Sequence, residues 1–572
     1  MANPENDVNR REALLAASGL AAAGVAAGPA QAGTGKGKGR SRGEDLVART
    51  GRKQAVSGSK GMVVTSHPLA TRAAINVLKD GGNACDAALA AAAMQLIVEP
   101  HMTALTGGLS MLYREHASGK AGYINGNVNA PLAPLPGYSG ADLTTGRGVP
   151  VPGWWPAFEA AREKWGTRSR AQLLNPAIEV AREGFEINSW LYRSIAACAG
   201  MIGIHEQGRE MFYPDGYLVN PGDLLKQERA GRTLERLRDE GMDYYLRDFA
   251  DAFSRECQSG GGVITPEDFQ AYRPMVQRPV EGTYRGARII GSPAPDDGGQ
   301  QLIEAFNLLE LIDLKRLGPP TESFETLSHL IRVHNEVYYA PPRQGDLDSA
   351  PKPIEILLSK EYARMRFELM SMYEPRSTAP TPTPGTIHIS VVDGQRNVAS
   401  VTHSHMASPW VNGLFAEGFQ LSGGGSFFQR ILPQPGSRAT VYLAPNIVLR
   451  GNDPVIVSGS PSVSLVACVL QNLVNLLDFG MTVEQSVHAP RFGTRPHSPE
   501  RGWEPGTTLE CGFSPAIQKE FVAWARKRRL WHRLTQPWNT LTGNFEGIAL
   551  DPASGRMSSC ADPRRVGAAE AL

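Results

Sequence analysis

Thr386-Ile387-His388-Ile389-Ser390-Val391-Val392-Asp393 reads as a buried strand with an abrupt start. The loop before it, Ser377 to Pro384, carries proline at 380, 382 and 384 and so stays extended and exposed. A chain cut between Gly385 and Thr386 would begin with a threonine at the mouth of that strand. A free α-amine, with an ordinary pKa of about 7.7–8.0, beside a threonine hydroxyl is a nucleophile that carries its own base. An ordinary strand after a linker is the plainer reading of the same residues.

The remaining pattern alternates short apolar strands with small-residue helices. Strands are expected at 62–66, 109–114, 121–125, 282–291, 387–392, 398–404, 440–448 and 455–458. Helices are expected at 68–79, opened by Pro68 and closed by Gly81-Gly82, and at 84–96, 322–339, 464–479 and 482–489, with a long helical middle from Trp154 to Leu314. Strands and helices in both halves fit a layered α+β sandwich.

The order of motifs adds a family. Gly81-Gly82-Asn83-Ala84-Cys85-Asp86-Ala87-Ala88, Val98-Glu99-Pro100-His101-Met102, Thr386-Ile387-His388, Gly459-Ser460-Pro461, Ala489-Pro490-Arg491-Phe492 and Ala561-Asp562-Pro563-Arg564 occur in order along the chain. From Gly61 onward the sequence resembles the γ-glutamyltranspeptidase (γ-glutamyltransferase) superfamily. The resemblance implies the four-layer αββα sandwich of N-terminal-nucleophile hydrolases and autocatalytic cleavage between Gly385 and Thr386. It also implies a large fragment, 61–385, associated as a heterodimer with a small one, 386–572. Thr386 would then attack a substrate amide, and water or an amine would release the acyl group. Thr402 and Ser404 match two family hydroxyl residues on the next strand, the second of which assists the nucleophile. The oxyanion-hole pair of the family is Gly-Gly; here it is Ser462-Val463. His388 falls on the face of Thr386, as a core residue or part of the pocket, whereas His403 and His405 share the other face and read as structural or surface residues.

The acyl pocket departs from the family. Asn127 stands where an arginine grips the γ-glutamyl carboxylate, Met406 replaces an asparagine, Phe427 an aspartate, and Val441-Tyr442 a serine pair. Losing charge-assisted hydrogen bonds worth about 1.5–3 kcal/mol each leaves a zwitterionic acyl group without its anchors. The first reading is therefore an amidohydrolase or acyltransferase for an apolar or aromatic acyl group on a small-molecule amide. Two others stay open: a γ-glutamyl hydrolase whose missing cation is replaced by Arg430 or Arg438, and a binding protein that has lost catalysis.

Bulk properties exclude other classes. A formal net charge of +1 over 572 residues gives no reason to expect nucleic acid or an anionic membrane as partner. Six scattered cysteines carry no metal-ligand spacing, and no metal or organic cofactor is implied. Arg10-Arg11, the apolar run 14–27 and Ala30-Gln31-Ala32 read as a Tat signal peptide, 1–32, too short and alanine-rich to span a membrane. The protein would then be periplasmic or secreted, with residues 33–60 a flexible basic linker.

Overall fold

The computed structural model describes residues 48–339, 353–370, 372, 385–423, 434–495 and 506–572. The Tat segment, most of the basic linker, the 377–384 loop, Phe427 and Arg430 lie outside the described residues.

Two seven-stranded sheets lie face to face. The first runs Ala568–Ala571, Gly61–Thr65, Ile387–Asp393, Val398–Ser404, Gly108–Arg114, Ala121–Gly126, Met275–Gln277. The second runs Val56–Gly58, Met557–Ser559, Glu546–Leu550, Asp453–Gly459, Asn446–Arg450, Ala287–Gly291, Val280–Tyr284. Met62, Val64 and Leu112 of the first meet Ile290, Ile447, Val457 and Ile548 of the second in a buried layer. The outer face of the first sheet packs Val63, Ile389, Val391 and Val401 on the helices Pro68–Lys79 and Ala84–Val98. The outer face of the second packs Ile289 and Val448 beneath Gly298–Leu309, Phe324–Tyr338 and Leu465–Leu477. Helix, sheet, sheet, helix is the αββα sandwich.

Local chemistry explains the helices that frame the site. His67 caps Pro68–Lys79, its Nδ1 accepting from the Leu69 N–H at 3.2 Å, with proline at the first turn. Asn83 and Asp86 form a capping box for Ala84–Val98. Every residue of that helix is buried, as suits a helix whose residues are apolar apart from Asp86 and Gln95.

Two expected strands are revised. The single strand at 282–291 is a hairpin, Val280–Tyr284 and Ala287–Gly291, turning through Arg285 and Gly286. Both turn residues have positive φ, 50° and 78°, the two-residue turn that matches strand twist. The strand expected from 440 begins only at Asn446. Val441 instead exchanges backbone hydrogen bonds with Pro295 and Asp297 in an isolated bridge before the strand begins.

At one end of the inter-sheet layer the contacts turn polar. Ser390 Oγ donates to Glu546 O at 2.8 Å and Ser400 Oγ to Ser458 O at 3.0 Å, tying the sheets together. Gly459 admits the His388 ring against its backbone, and a Cβ there would overlap the ring. Gly459→Ala should destabilise by about 1–3 kcal/mol through overpacking, read as a lowered thermal midpoint.

Candidate active site

The antiparallel register pairs Ile387 with His403, and so brings Thr386 opposite Ser404. Thr386 Oγ1 donates to Ser404 Oγ at 3.1 Å. Ser404 Oγ donates in turn to the Gly385 carbonyl and accepts from the Met406 N–H at 2.8 Å. One hydroxyl therefore joins the Thr386 side chain to the carbonyl of the peptide bond before it. Gly385 is closed in by Ala407 O and the His405 ring, where a Cβ would not fit.

Thr402 bonds to His388 rather than Thr386, at 2.8 Å from Nδ1. The other nitrogen of His388 meets Ser390 at 3.1 Å, and burial drives its pKa down to about 3, so the ring is neutral. His403 and His405 are fully buried, which removes the surface reading of both. Trp154 Nε1 donates to His403 Nδ1 at 3.1 Å, and Gln95 Oε1 lies 2.8 Å from its Nε2. His405 Nε2 lies 2.9 Å from His101 O.

Several neighbours escaped the sequence reading. Arg565 Nη1 donates to the Thr386 carbonyl at 2.8 Å and is itself buried, with its guanidinium 5.5 Å from the Trp190 ring centre. Glu99 and Glu546 supply the strongest opposing charges around it. Glu99 Oε2 accepts from Gln95 at 3.0 Å, and Glu546 Oε1 from Ser66 at 2.5 Å and Asn544 at 2.8 Å. Lys53, assigned to the flexible linker, is docked: its Nζ donates to Arg565 O at 2.9 Å and Gly567 O at 2.6 Å, and burial lowers its pKa to about 8. The one available signal was position, since Glu99 and Arg565 lie in or beside the Val98–Met102 and Ala561–Arg564 motifs. Among the described residues no group of three or more His, Cys, Asp or Glu side chains could hold a metal ion.

The pocket residues divide into two groups. Asn127 follows the Ala121–Gly126 strand, which pairs Gly126 with Leu109, so it lies opposite Gly108; Gly108 in turn pairs with Ser404. Thr386, Ser404, Gly108 and Asn127 thus form one row across four strands. Met406 and Val441 pack together with Val128 beside it. Tyr442 belongs to a separate aromatic group with Tyr338 and Tyr339, its ring centre 5.0 Å from that of Tyr338. Asn127 Nδ2 donates to Asp296, a residue the sequence placed in a mere turn. Tyr123 OH and Ser110 Oγ donate to the same carboxylate, while burial lifts its pKa to about 7. Arg438 is committed elsewhere: its Nη1 donates to Asn125 O at 2.8 Å, its Nη2 to Arg273 O at 2.5 Å, and its guanidinium stacks 4.5 Å from the Tyr272 ring centre.

Ser462 holds φ at +91°, a conformation that favours glycine. Its Oγ is tied to Leu541 O at 3.1 Å. Among the described residues no protein carbonyl accepts from the N–H of Ser462 or Val463, which precede the Leu465–Leu477 helix.

Glu99 gives a pH test. Its pKa is raised to about 7 by burial, with Arg565 and Gln95 opposing. The fold therefore favours the protonated acid, and the stability this contributes below the unfolded pKa is lost as pH rises through 7. Glu99→Gln should gain about 1–3 kcal/mol on the native protein between pH 5 and pH 8, read from paired thermal melts; a constant difference would show that Glu99 does not titrate there.

The model of a family described as Gamma-glutamyltranspeptidase matches residues 70–572. The chain is 27% identical to the glutathione hydrolase proenzyme of Escherichia coli (strain K12), over 89% of this chain and 91% of that one. It is 28% identical to the acylase ACY 1 proenzyme of Pseudomonas sp. (strain SE83), over 88% and 93%. Its fold matches the crystal structure of cephalosporin acylase from Bacillus halodurans with a TM-score of 0.78 at 23% identity, covering 93% of this chain and 99% of that one.

Proposed function

The chain belongs to the gamma-glutamyltranspeptidase family, and within it we propose a self-processing N-terminal threonine amidohydrolase or acyltransferase for acyl groups other than free γ-glutamyl. The carrying observation is the Thr386–Ser404–Gly385 contact. In processing, Thr386 Oγ1 attacks the Gly385 carbonyl carbon. Ser404, whose hydroxyl already donates to that carbonyl oxygen, stabilises the charge that develops on it. The acyl group passes to the hydroxyl, water releases it, and Thr386 is left with a free α-amine. The large fragment is then 61–385 and the small fragment 386–572.

In turnover the α-amine takes the hydroxyl proton and Oγ1 attacks the substrate amide. Among the described residues the backbone N–H groups of Ser462 and Val463 face no protein acceptor, and they receive the oxyanion. The glycine-like φ of Ser462 supports this role, because it keeps the backbone path that two glycines would take. The amine then protonates the leaving nitrogen, and water or an acceptor amine resolves the acyl-threonine. Arg565 fixes the Thr386 carbonyl throughout.

Specificity follows the pocket. A carboxylate-bearing acyl group would meet Asn127 backed by Asp296, with Met406 and Val441 alongside, rather than an arginine. The acylase name of one relative agrees with this reading. The glutathione hydrolase name of another keeps the γ-glutamyl alternative in view, but Arg438, its candidate cation among the described residues, is bound to backbone carbonyls. The twin-arginine segment supports export by the Tat pathway. Among the described residues no helix is long and apolar enough to cross a membrane.

An intact mass spectrum should show two fragments dividing between Gly385 and Thr386. Thr386→Ala should leave a single chain and lower amide turnover by about a thousandfold or more; activity retained in it removes the nucleophile assignment. Ser404→Ala should slow processing by about a hundred- to a thousandfold. Phenylacetyl-p-nitroanilide should be cleaved at least about tenfold better than γ-glutamyl-p-nitroanilide in kcat/KM, and the reverse order would restore the γ-glutamyl reading.

A further inference from the structure

We propose that Asp296 and Asn127 form a subsite that selects an acyl group whose far end is a hydrogen-bond donor such as a carboxamide, and that rejects a carboxylate there. The inference rests on the reading of Thr386 as nucleophile and deepens it. Its basis is the row Thr386, Ser404, Gly108, Asn127. Residues directly opposite one another across antiparallel strands project to the same face, so all four lie on one side of the first sheet. Neighbouring strands are about 4.8 Å apart, which sets Asn127 roughly 14 Å across from Thr386 at the backbone. Both side chains reach into that span, leaving a length suited to an acyl chain of about five or six atoms. The residue between Ser404 and Asn127 in the row is a glycine. A Cβ on Gly108 would lie 2.8 Å from Asn127 Oδ1 and 2.9 Å from Met406 Cε, so the glycine lets both side chains lean over its strand and sets the Asn127 oxygen toward Thr386.

The polarity of the far end is fixed by Asp296. Its Oδ2 accepts from Ser110 Oγ at 2.7 Å and from Tyr123 OH, and its Oδ1 accepts from Asn127 Nδ2. Three converging donors suit a carboxylate. They also orient the Asn127 amide, because the nitrogen must face the acid and the oxygen must turn away from it. Asn127 Oδ1 is fully buried and has no hydrogen-bond partner. An orphaned buried acceptor costs free energy that an incoming N–H or O–H would recover. A carboxylate in the same place would bring two acceptors against an acceptor, with the Asp296 carboxyl behind it. Met406, Val441 and Val128 give the body of the acyl group an apolar lining.

The test uses an isosteric pair, glutaramoyl-p-nitroanilide and glutaryl-p-nitroanilide, which differ only in a distal carboxamide against a carboxylate. Phenylacetyl-p-nitroanilide serves as a reference. The processed wild-type enzyme should prefer the glutaramoyl compound at least about tenfold in kcat/KM. Asp296→Asn and Asn127→Leu should each bring that ratio to within about threefold of one. Each ratio is taken on one preparation, so the fraction of folded enzyme cancels, and Asn127→Leu carries the test if Asp296→Asn fails to fold. A wild-type ratio at or below one, or a ratio unmoved in the variants, overturns the subsite. Cleavage of the phenylacetyl compound with neither glutaric derivative turned over also overturns it. Silence toward all three compounds overturns the amidohydrolase reading, and the subsite falls with it.

Discussion

The pairing of Ile387–Asp393 with Val398–Ser404 is the constraint on which the site depends. Strand side chains repeat every two residues, so a slip of one position would turn Thr386 and Ser404 to opposite faces and break the contact between them. Two kinds of neighbour hold the register. On the outer face Ile389, Val391 and Val401 are fully buried against the alanine-rich Ala84–Val98 helix. On the inner face His388 bonds to Thr402, and Ser390 and Ser400 bond across to the second sheet. A slipped strand would bury His388 among the aliphatic side chains and turn Ile387 and Ile389 onto polar partners. Both errors cost free energy, and they reinforce each other.

The inner face is also where stability gives way to chemistry. Away from the site the two sheets meet through Met62, Leu112, Ile447 and Val457. Toward the site the contacts become hydroxyl, imidazole, carboxylate and guanidinium, each buried and mostly hydrogen-bonded. Groups of this kind are strongly oriented because a misplaced one is left unpaired away from water. Thr386 thus sits on a framework that allows its hydroxyl few alternatives.

Much of this could be read from the sequence. The alternation after Gly385 gave the strand, the family resemblance pointed to Ser404 on the strand at 398–404, and Pro68, Gly81-Gly82 and the alanine-rich stretch after them gave two helices close to their observed bounds. What could not be read arises from contacts between distant residues. Asp296 sits in Asp-Asp-Gly-Gly, which looks like a turn, and its partners Asn127 and Ser110 lie 169 and 186 residues away in sequence. Arg565 follows another arginine, and nothing local distinguishes the one that reaches Thr386 from the one that pairs with Glu510 at 2.6 Å. The Arg285-Gly286 turn escaped because arginine seldom takes positive φ. The histidines at 403 and 405 look like surface residues by type, yet the carbonyl, amide and indole that satisfy them come from other elements.

Arg565 lies 179 residues beyond Thr386 in the sequence, and the strand Ala568–Ala571 follows it directly at the edge of the first sheet. A nascent chain can therefore expose Thr386 to solvent long before the guanidinium that fixes its carbonyl has been synthesised. The sheet gains that edge strand, and Lys53 gains its carbonyl partners at 565 and 567, only when these late residues arrive. The order of synthesis thus acts as a clock: the peptide bond before Thr386 meets its complete surroundings only after the rest of the domain has been made.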